Sequence, residues 1–113
     1  MQASYVPDEA DIVWINFTPQ SGHEQAGRRP AVVLSPKIYN SRAGLLVCVP
    51  LTNQVKGYPF EVVLSGKGVS GVALADQVKS LDWQARQAEL KGTASTSEIA
   101  EIKSKIKSLL QLA

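Results

Sequence analysis

The chain has 113 residues, of which 44% are apolar, and its 12 basic and 10 acidic side chains leave a formal net charge of +2. This length suits one domain of about 100–150 residues, and the apolar fraction excludes an intrinsically disordered chain. The single cysteine, Cys48, excludes an internal disulfide and a cysteine-based zinc site. No apolar stretch approaches the roughly 20 residues that span a bilayer, and no secretory signal is visible, so we expect one cytoplasmic domain over residues 1–113.

Five short runs rich in Val, Ile and Leu predict strands. They cover residues 12–17, 31–34, 45–49, 60–64 and 72–75. Clusters of Gly, Pro, Ser and Asn separate them, and we expect turns at 35–36 and 40–41 and a loop at 88–97. Connections this short leave no room for a crossover helix between every pair, so the sheet should be mainly antiparallel. A small, strongly curved barrel would hide the edges of such short strands.

The carboxyl-terminal segment has helical periodicity. Apolar side chains recur at helical spacing from Ile99 to Leu110, and lysines occupy the remaining circumference. Ser95 and Glu98 have the spacing of a capping box, which predicts that the helix begins there. Core packing is the simplest role for the apolar stripe, and a dimer contact is the alternative. The predicted fold class is therefore mainly β with α (α+β), a small curved antiparallel β-barrel with a C-terminal amphipathic helix.

The charges are distributed unevenly along the chain. Residues 28–58 contain five basic side chains and no acidic one, whereas residues 1–27 contain four acidic side chains and no Lys or Arg. A segment with only positive charge can attract an anion such as phosphate. A solvated face balanced by acids nearby in space is the alternative interpretation.

Most enzyme signatures are absent from the sequence. There is no phosphate-binding loop, no dinucleotide fingerprint and no Gly-x-Ser-x-Gly elbow. A single histidine, His23, excludes a two-histidine ribonuclease mechanism on one chain. The carboxylates are scattered and lack metal-ligand spacing, so neither a metal nor a cofactor is expected.

One polar segment, residues 21–30, brings chemically capable groups together. It contains a carboxylate at Glu24, two cations at Arg28 and Arg29, and two glycines. Arginine binds phosphate through a planar fork of donors and stays protonated at any working pH. A carboxylate near such cations keeps its charge and can act as a base. A solvated loop with a local Glu–Arg ion pair is the alternative.

The same region resembles the signature of a known family. The run at 22–35 reads GHEQAGRRPAVVLS, and other matching stretches lie in order along the chain at 5–7 (YVP), 50–52 (PLT), 56–62 (KGYPFEV) and 71–80 (GVALADQVKS). Together they resemble the MazF/PemK family of toxin endoribonucleases, most closely its MazF branch, over essentially the whole chain. The resemblance implies an SH3-like or CcdB-like barrel that forms a homodimer through β elements and the terminal helix.

The resemblance also implies an activity and a partner. Members of this family cleave single-stranded RNA without a metal, commonly at short motifs such as ACA, and a MazE-like antitoxin inhibits them by placing an acidic tail in the RNA groove. Attack by a ribose 2′-hydroxyl would leave a 2′,3′-cyclic phosphate and a 5′-hydroxyl. A CcdB-like toxin that binds DNA gyrase without cleaving RNA is the alternative, since a shared barrel does not establish nuclease activity.

The family's catalytic positions are carried over to this chain residue by residue. The resemblance implies that Arg29 and Thr52 are the principal catalytic pair and that Glu24 is a third catalytic residue. The guanidinium of Arg29 is suited to stabilise a phosphorane, and the hydroxyl of Thr52 can donate to a phosphate oxygen. Glu24 is the chemically natural base, and His23 is the alternative base because histidine titrates near neutrality.

A further set of residues is expected to contact RNA. Aromatic side chains can stack on splayed bases, polar side chains can bond to base edges, and lysines can contact phosphate. The predicted RNA-binding residues are Trp14, Phe17, His23, Arg28, Asn40, Lys56, Tyr58, Asp76, Gln77 and Lys79. Trp14 and Phe17 lie in a predicted strand and could instead belong to the core. Asp76 could hold Arg29 in place instead of contacting a base.

Overall fold

The computed structural model describes residues 5–17, 27–66 and 69–113. In chain order the elements are β1 (Asp11–Asn16), β2 (Arg28–Val33), α1 (Lys37–Ala43), β3 (Leu45–Thr52), β4 (Glu61–Leu64), β5 (Gly71–Leu74), β6 (Lys79–Asp82), β7 (Glu89–Thr93) and α2 (Thr96–Leu110). Each of the strand pairings is antiparallel, as the short connections predict. Neither helix in these ranges combines the length and apolar character needed to cross a membrane.

The strands form one curled sheet in the order β4-β5-β3-β2-β1-β7, with β6 paired to β3 as well. The helix α2 begins directly after β7 and packs against β4. It therefore bridges the two edge strands of the sheet, and the result is an antiparallel half-barrel with a C-terminal helix across its open side. The predicted mainly β architecture with a terminal helix is confirmed.

The central strand β3 pairs with three partners, and a large bulge separates two of these pairings. On one edge it pairs with β2, and on the other edge its residues 45–48 pair with β6 and its residues 51–52 pair with β5. Between those two stretches β3 has two residues, Val49 and Pro50, whereas the opposing chain has five residues, 74–78, between its pairings as β5 and as β6. The excess residues form what we call the 74–78 bulge. Pro50 has no N–H to donate, so this interruption lies where β3 cannot complete a full ladder.

The central strands are buried on both faces. One hydrophobic cluster contains Val32 and Val49 and packs against α2, whereas a second cluster on the other face contains Ala31, Val33 and Cys48. Successive side chains of a strand point to opposite faces, so a strand that contributes to both clusters must be apolar throughout. This explains why the sequence runs at 31–34 and 45–49 do not alternate with polar residues.

The helix α2 begins at the predicted position. The Ser95 hydroxyl accepts the N–H of Glu98 at 3.1 Å, and the Glu98 carboxylate accepts the N–H of Ser95 at 2.9 Å, which completes a capping box. The same carboxylate accepts the N–H of Ser65 at 3.0 Å, and these bonds, that from the Ser95 backbone foremost, hold the pKa of Glu98 below its ordinary value. Ile99 and Ile102 are buried, so core packing of the first half of the stripe is confirmed. The dimer contact stays a prediction.

Three elements differ from the sequence analysis. The expected turn at 40–41 lies inside α1, whose first N–H, at Lys37, donates to the Asp8 carboxylate at 2.9 Å and which ends at Gly44 with φ of +73°. Residues 79–82 form β6, and part of the expected loop at 88–97 forms β7. In β6 only Leu81 is buried, and β7 has no buried side chain, so neither strand has an apolar run that could reveal it.

We predict that Ser95→Ala lowers the free energy of unfolding by about 1 kcal/mol, because the first turn of α2 loses the side-chain acceptor for the N–H of Glu98. Urea denaturation measures this difference. Ser104→Ala makes the same chemical change at an exposed position within α2 and should be neutral or slightly stabilising, since alanine is the better helix former. Equal losses in the two variants would contradict the assigned cap.

Candidate active site

A cleft of about 670 Å³ opens where the end of β3, the loop at 53–60 and the 74–78 bulge meet. The structure brings five of the predicted site residues together here: Thr52, Lys56, Tyr58, Asp76 and Gln77. The cleft is also lined by Gln54, Gly57, Pro59, Glu61 and Leu74, none of which was predicted from the sequence.

Tyr58 and Asp76 join two walls of the cleft. The Tyr58 hydroxyl donates to the Asp76 carboxylate at 2.9 Å, and this hydrogen bond together with the negative charge of Asp76 raises the pKa of Tyr58. The ring of Tyr58 is 48% exposed, and its centroid lies 5.8 Å from that of Phe60 in a tilted arrangement. An exposed aromatic ring fixed in this way suits a stacked base.

Two buried oxygen atoms of the cleft lack a donor. Asp76 Oδ1 and Gln77 Oε1 have no hydrogen-bond partner within the described ranges. A buried acceptor without a donor costs on the order of 1–3 kcal/mol, and the cost disappears when a ligand supplies an N–H group. The bulge therefore contains two acceptors that could take hydrogen bonds from a ligand with N–H groups.

Thr52 connects this cleft to the neighbouring face of the sheet. It is half-buried at the end of β3, and its hydroxyl oxygen accepts the N–H of Gln54 at 3.2 Å. A hydroxyl that accepts from its own turn still has its hydrogen available, so Thr52 can donate to a ligand oxygen.

The sheet register relates Arg29 to Thr52. Ala31 pairs with Pro50 in the last pairing of the β2–β3 ladder, and the same register carried two residues further would bring Arg29 opposite Thr52. A step of two residues keeps both side chains on one face of the sheet. Arg29 is an exposed residue of β2.

Two more cations belong to this face. Lys79 pairs with Cys48 across β3 and β6, and the charges of Lys79 and Arg86 oppose the burial that raises the pKa of Cys48 to about 12. Arg86 donates to the carbonyl of Asn16 at 3.0 Å. We call Arg29, Thr52, Lys79 and Arg86 the basic face. No local motif identifies Arg86, and only the turn after β6 brings it here.

Asn40 is a correction to the predicted RNA contacts. Its side chain is fully buried, and its amide nitrogen donates to the carbonyls of Pro7 at 2.8 Å and Ser35 at 3.0 Å. Its amide oxygen accepts the Ser35 hydroxyl at 2.6 Å, and its carbonyl accepts the indole N–H of Trp83 at 2.9 Å. The side-chain amide thus forms its hydrogen bonds within the protein core and is inaccessible to RNA.

Phe17 and Trp14 have different surroundings although both belong to the β1 region. Phe17 is fully buried in the second cluster, so its predicted role as a stacking platform is wrong and its alternative place in the core is confirmed. Trp14 is 38% exposed, and the Lys91 ammonium lies 5.2 Å from its ring centroid. Trp14 does not line the cleft.

Arg28 is the first residue of β2 and pairs with Asn16 at the end of β1. It donates to the carbonyl of Gln87 at 2.9 Å and forms an ion pair with Glu89, so it ties β2 to the segment that leads into β7. Arg28 does not line the cleft. Glu24 and His23 lie outside the described residues. Within the described ranges, no group of three or more His, Cys, Asp or Glu side chains could hold a metal ion.

The curled sheet, its terminal helix and this cleft belong to a known class of toxin. The sequence matches the family described as PemK-like, MazF-like toxin of type II toxin-antitoxin system over residues 8–110, and the chain belongs to that family.

Its relatives include the endoribonuclease toxin MazF of Escherichia coli K12, which is 58% identical over 110 residues, or 97% of this chain and 99% of that protein. The crystal structure of MazF from Deinococcus radiodurans is similar with a TM-score of 0.92 and 55% identity, over 96% of this chain and 100% of that one. A MazE-MazF crystal structure from the same organism gives a TM-score of 0.86 and 49% identity, over 97% of this chain and 100% of that one.

We predict that Gly71→Ala destabilises the protein and distorts the end of β3. Gly71 has φ of +126°, and an added Cβ would lie 2.7 Å from the carbonyl oxygen of Thr52. The expected cost is about 1–3 kcal/mol in the free energy of unfolding, measured by chemical denaturation. Gly44→Ala is the matched control, because Gly44 also has a positive φ, +73°, but nothing lies within 4 Å of its added Cβ. A Gly71→Ala cost no larger than that of Gly44→Ala would contradict the predicted clash.

We predict that Asp76→Asn lowers the pKa of Tyr58 toward its ordinary value of 10.0, because the hydroxyl loses its charged acceptor. A raised tyrosine pKa means that the contact stabilises the fold fully below the unfolded pKa and that this contribution is lost as the pH rises through the folded pKa. Absorbance of tyrosinate measures the titration, and a Tyr58→Phe variant identifies its transition among the three tyrosines. An unchanged Tyr58 transition in Asp76→Asn would rule out the contact in solution.

Proposed function

We propose that this chain, as one toxin domain over residues 1–113, is a sequence-specific endoribonuclease that cleaves single-stranded RNA in the cytoplasm. Its relative from Escherichia coli is an endoribonuclease at 58% identity over nearly the whole chain. The observation that carries the proposal is the pairing of Ala31 with Pro50, because the same register carried two residues further would bring Arg29 opposite Thr52, which lines the cleft. A cation and a hydroxyl donor on one face beside a base-sized cleft fit a phosphodiester and its adjoining base.

The proposed reaction is transesterification within the RNA strand. The 2′-oxygen bonds to the adjacent phosphorus while the bond from phosphorus to the 5′-oxygen breaks, which leaves a 2′,3′-cyclic phosphate and a 5′-hydroxyl. Arg29 stabilises the negative charge that develops on the phosphorane oxygens, because guanidinium donors are fixed in direction and permanently charged. Thr52 adds one hydroxyl donor to the same oxygens. Glu24 accepts the proton of the 2′-hydroxyl, with His23 as the alternative base, and water supplies the proton that the departing 5′-oxygen needs to become a hydroxyl.

Base recognition belongs to the cleft in this proposal. Asp76 Oδ1 and Gln77 Oε1 are acceptors without donors in the described ranges, so they favour a base that carries an amino group. Adenine, cytosine and guanine each have an exocyclic amine, whereas uracil has none, so the two acceptors disfavour uracil and are compatible with an ACA-like motif. Tyr58 supplies a stacking surface, and Lys56 and Lys79 contact phosphate and make binding depend on salt.

The proposal includes two protein partners. The first is a second copy of the chain, in a homodimer. The second is a MazE-like antitoxin with an acidic tail, because the related MazF from Deinococcus radiodurans has been solved in complex with MazE. An acidic segment lying against the basic face would compete directly with RNA for Arg29, Lys79 and Arg86.

The decisive test is cleavage of a long, unstructured single-stranded RNA by the purified protein in the presence of EDTA. We predict discrete cuts at one short motif, with cyclic phosphate at the new 3′ ends, and a rate roughly 10²–10³-fold lower for Arg29→Ala. Thr52→Val should lower kcat as well, because it keeps the shape and removes the donor. Arg42→Ala, an exposed arginine at the end of α1, is the matched control and should cleave normally. Absence of cleavage by the folded wild-type protein would reject the proposal and favour the gyrase-binding alternative.

A further inference from the structure

The loop at 53–60 carries two of the predicted RNA-binding residues, Lys56 and Tyr58, and belongs to no helix or strand. Lys56 and Tyr58 are both exposed on it, and each could sample many positions if the backbone beneath were free. Their orientation toward the cleft therefore depends on what holds the loop backbone.

One side chain holds that backbone at two adjacent points. The Glu61 carboxylate accepts the N–H of Lys56 on Oε2 and the N–H of Gly57 on Oε1, each at 3.1 Å. The backbone N–H of Glu61 also donates to the carbonyl of Tyr58 at 3.0 Å. Hydrogen bonds from backbone N–H groups to an ionised carboxylate are charge-assisted and stronger than neutral ones.

Gly57 makes this arrangement possible. Its φ is +73°, in the left-handed region, and a Cβ there would meet nothing within 4 Å. A left-handed residue in a turn can direct successive N–H groups at one anion, which is the geometry of an anion-binding nest. The side chain of Glu61 occupies that nest as an internal anion.

Glu61 is itself fixed to the opposite wall of the cleft. It is half-buried at the start of β4 and pairs with Leu74 on β5, immediately before the rest of the 74–78 bulge. The N–H of Ala75 donates to the carbonyl of Phe60 at 2.9 Å, so the loop and the bulge are also joined at the residue before Glu61. The carboxylate thus fixes the loop backbone at Lys56 and Gly57 relative to β4 and β5.

We infer that Glu61 is a positioning residue for RNA recognition, which fixes Lys56 and Tyr58 over the cleft by binding the loop backbone through both carboxylate oxygens. Its effect on RNA rests on the proposed function, whereas its hold on the loop does not. Because both oxygens of Glu61 accept backbone N–H groups, the residue acts through the loop and not as a base on the substrate.

The first test measures the loop without RNA. The contact between Tyr58 and Asp76 depends on the position of the loop, so the tyrosinate titration of Tyr58 reports on it. Glu61→Ala should shift the Tyr58 transition down toward its ordinary pKa of 10.0, and Glu61→Gln, which keeps one acceptor oxygen, should shift it less. Glu101→Ala removes an exposed carboxylate of α2 and is the matched control, with an expected titration like that of the wild type.

The second test separates binding from chemistry on RNA. Glu61→Ala should raise KM roughly tenfold and leave kcat within about threefold, because the loop contacts the base while Arg29 and Thr52 remain in place. Wild-type KM together with a wild-type Tyr58 titration in Glu61→Ala would overturn the inference, even if that variant is less stable. If wild-type protein leaves RNA intact, the proposed function fails, and the titration still decides whether Glu61 holds the loop.

Discussion

The hydrogen-bonded ladder of β3 is the constraint on which the cleft and the basic face both depend. This one strand pairs with β2 on one edge and with β5 and β6 on the other, so it sets the position of Arg29, of Lys79 and of the 74–78 bulge. Its side chains enter a hydrophobic cluster on each face, which prevents a slip of register, because a slip by one residue would exchange the two clusters. Thr52 at its end is therefore placed by the whole core.

The cleft contains buried hydrogen-bond acceptors that the described residues leave without a donor. Asp76 Oδ1 and Gln77 Oε1 are buried acceptors without donors in the described part of the chain, while the other Asp76 oxygen accepts the Tyr58 hydroxyl. Elsewhere the same structure satisfies a buried amide completely, as at Asn40. The polar groups of Asn40 are thus paired within the fold, whereas these two acceptors keep an open hydrogen-bonding capacity among the described residues, which is costly while it stays unfilled.

The features of the fold that were predicted correctly are those that depend on residues close together in the sequence. The cap at Ser95 and the apolar strands 31–34 and 45–49 depend on neighbours in sequence, and the family resemblance gathered five of the residues that line the cleft. The helix α1 was missed because its N-terminal partner is Asp8, 29 residues earlier, and not a capping side chain of its own. Asn40 was misassigned for a similar reason. Its bonds to Pro7 and Trp83 join residues far apart in the sequence, so its burial could not be predicted from its neighbours.

The contacts of Glu61 could not be predicted from the sequence either, because they require a positive φ at Gly57 and the pairing of β4 with β5.

The 74–78 bulge has a different consequence, which concerns how the sequence of such a protein can change during evolution. The pairings on its two sides, Thr52 with Val72 and Cys48 with Lys79, are separate ladders held by separate packing. Residues can thus be exchanged, added or removed between them without sliding either ladder. Under the proposed function, such changes in this one segment would alter the RNA sequence that is recognised while both ladders keep their register.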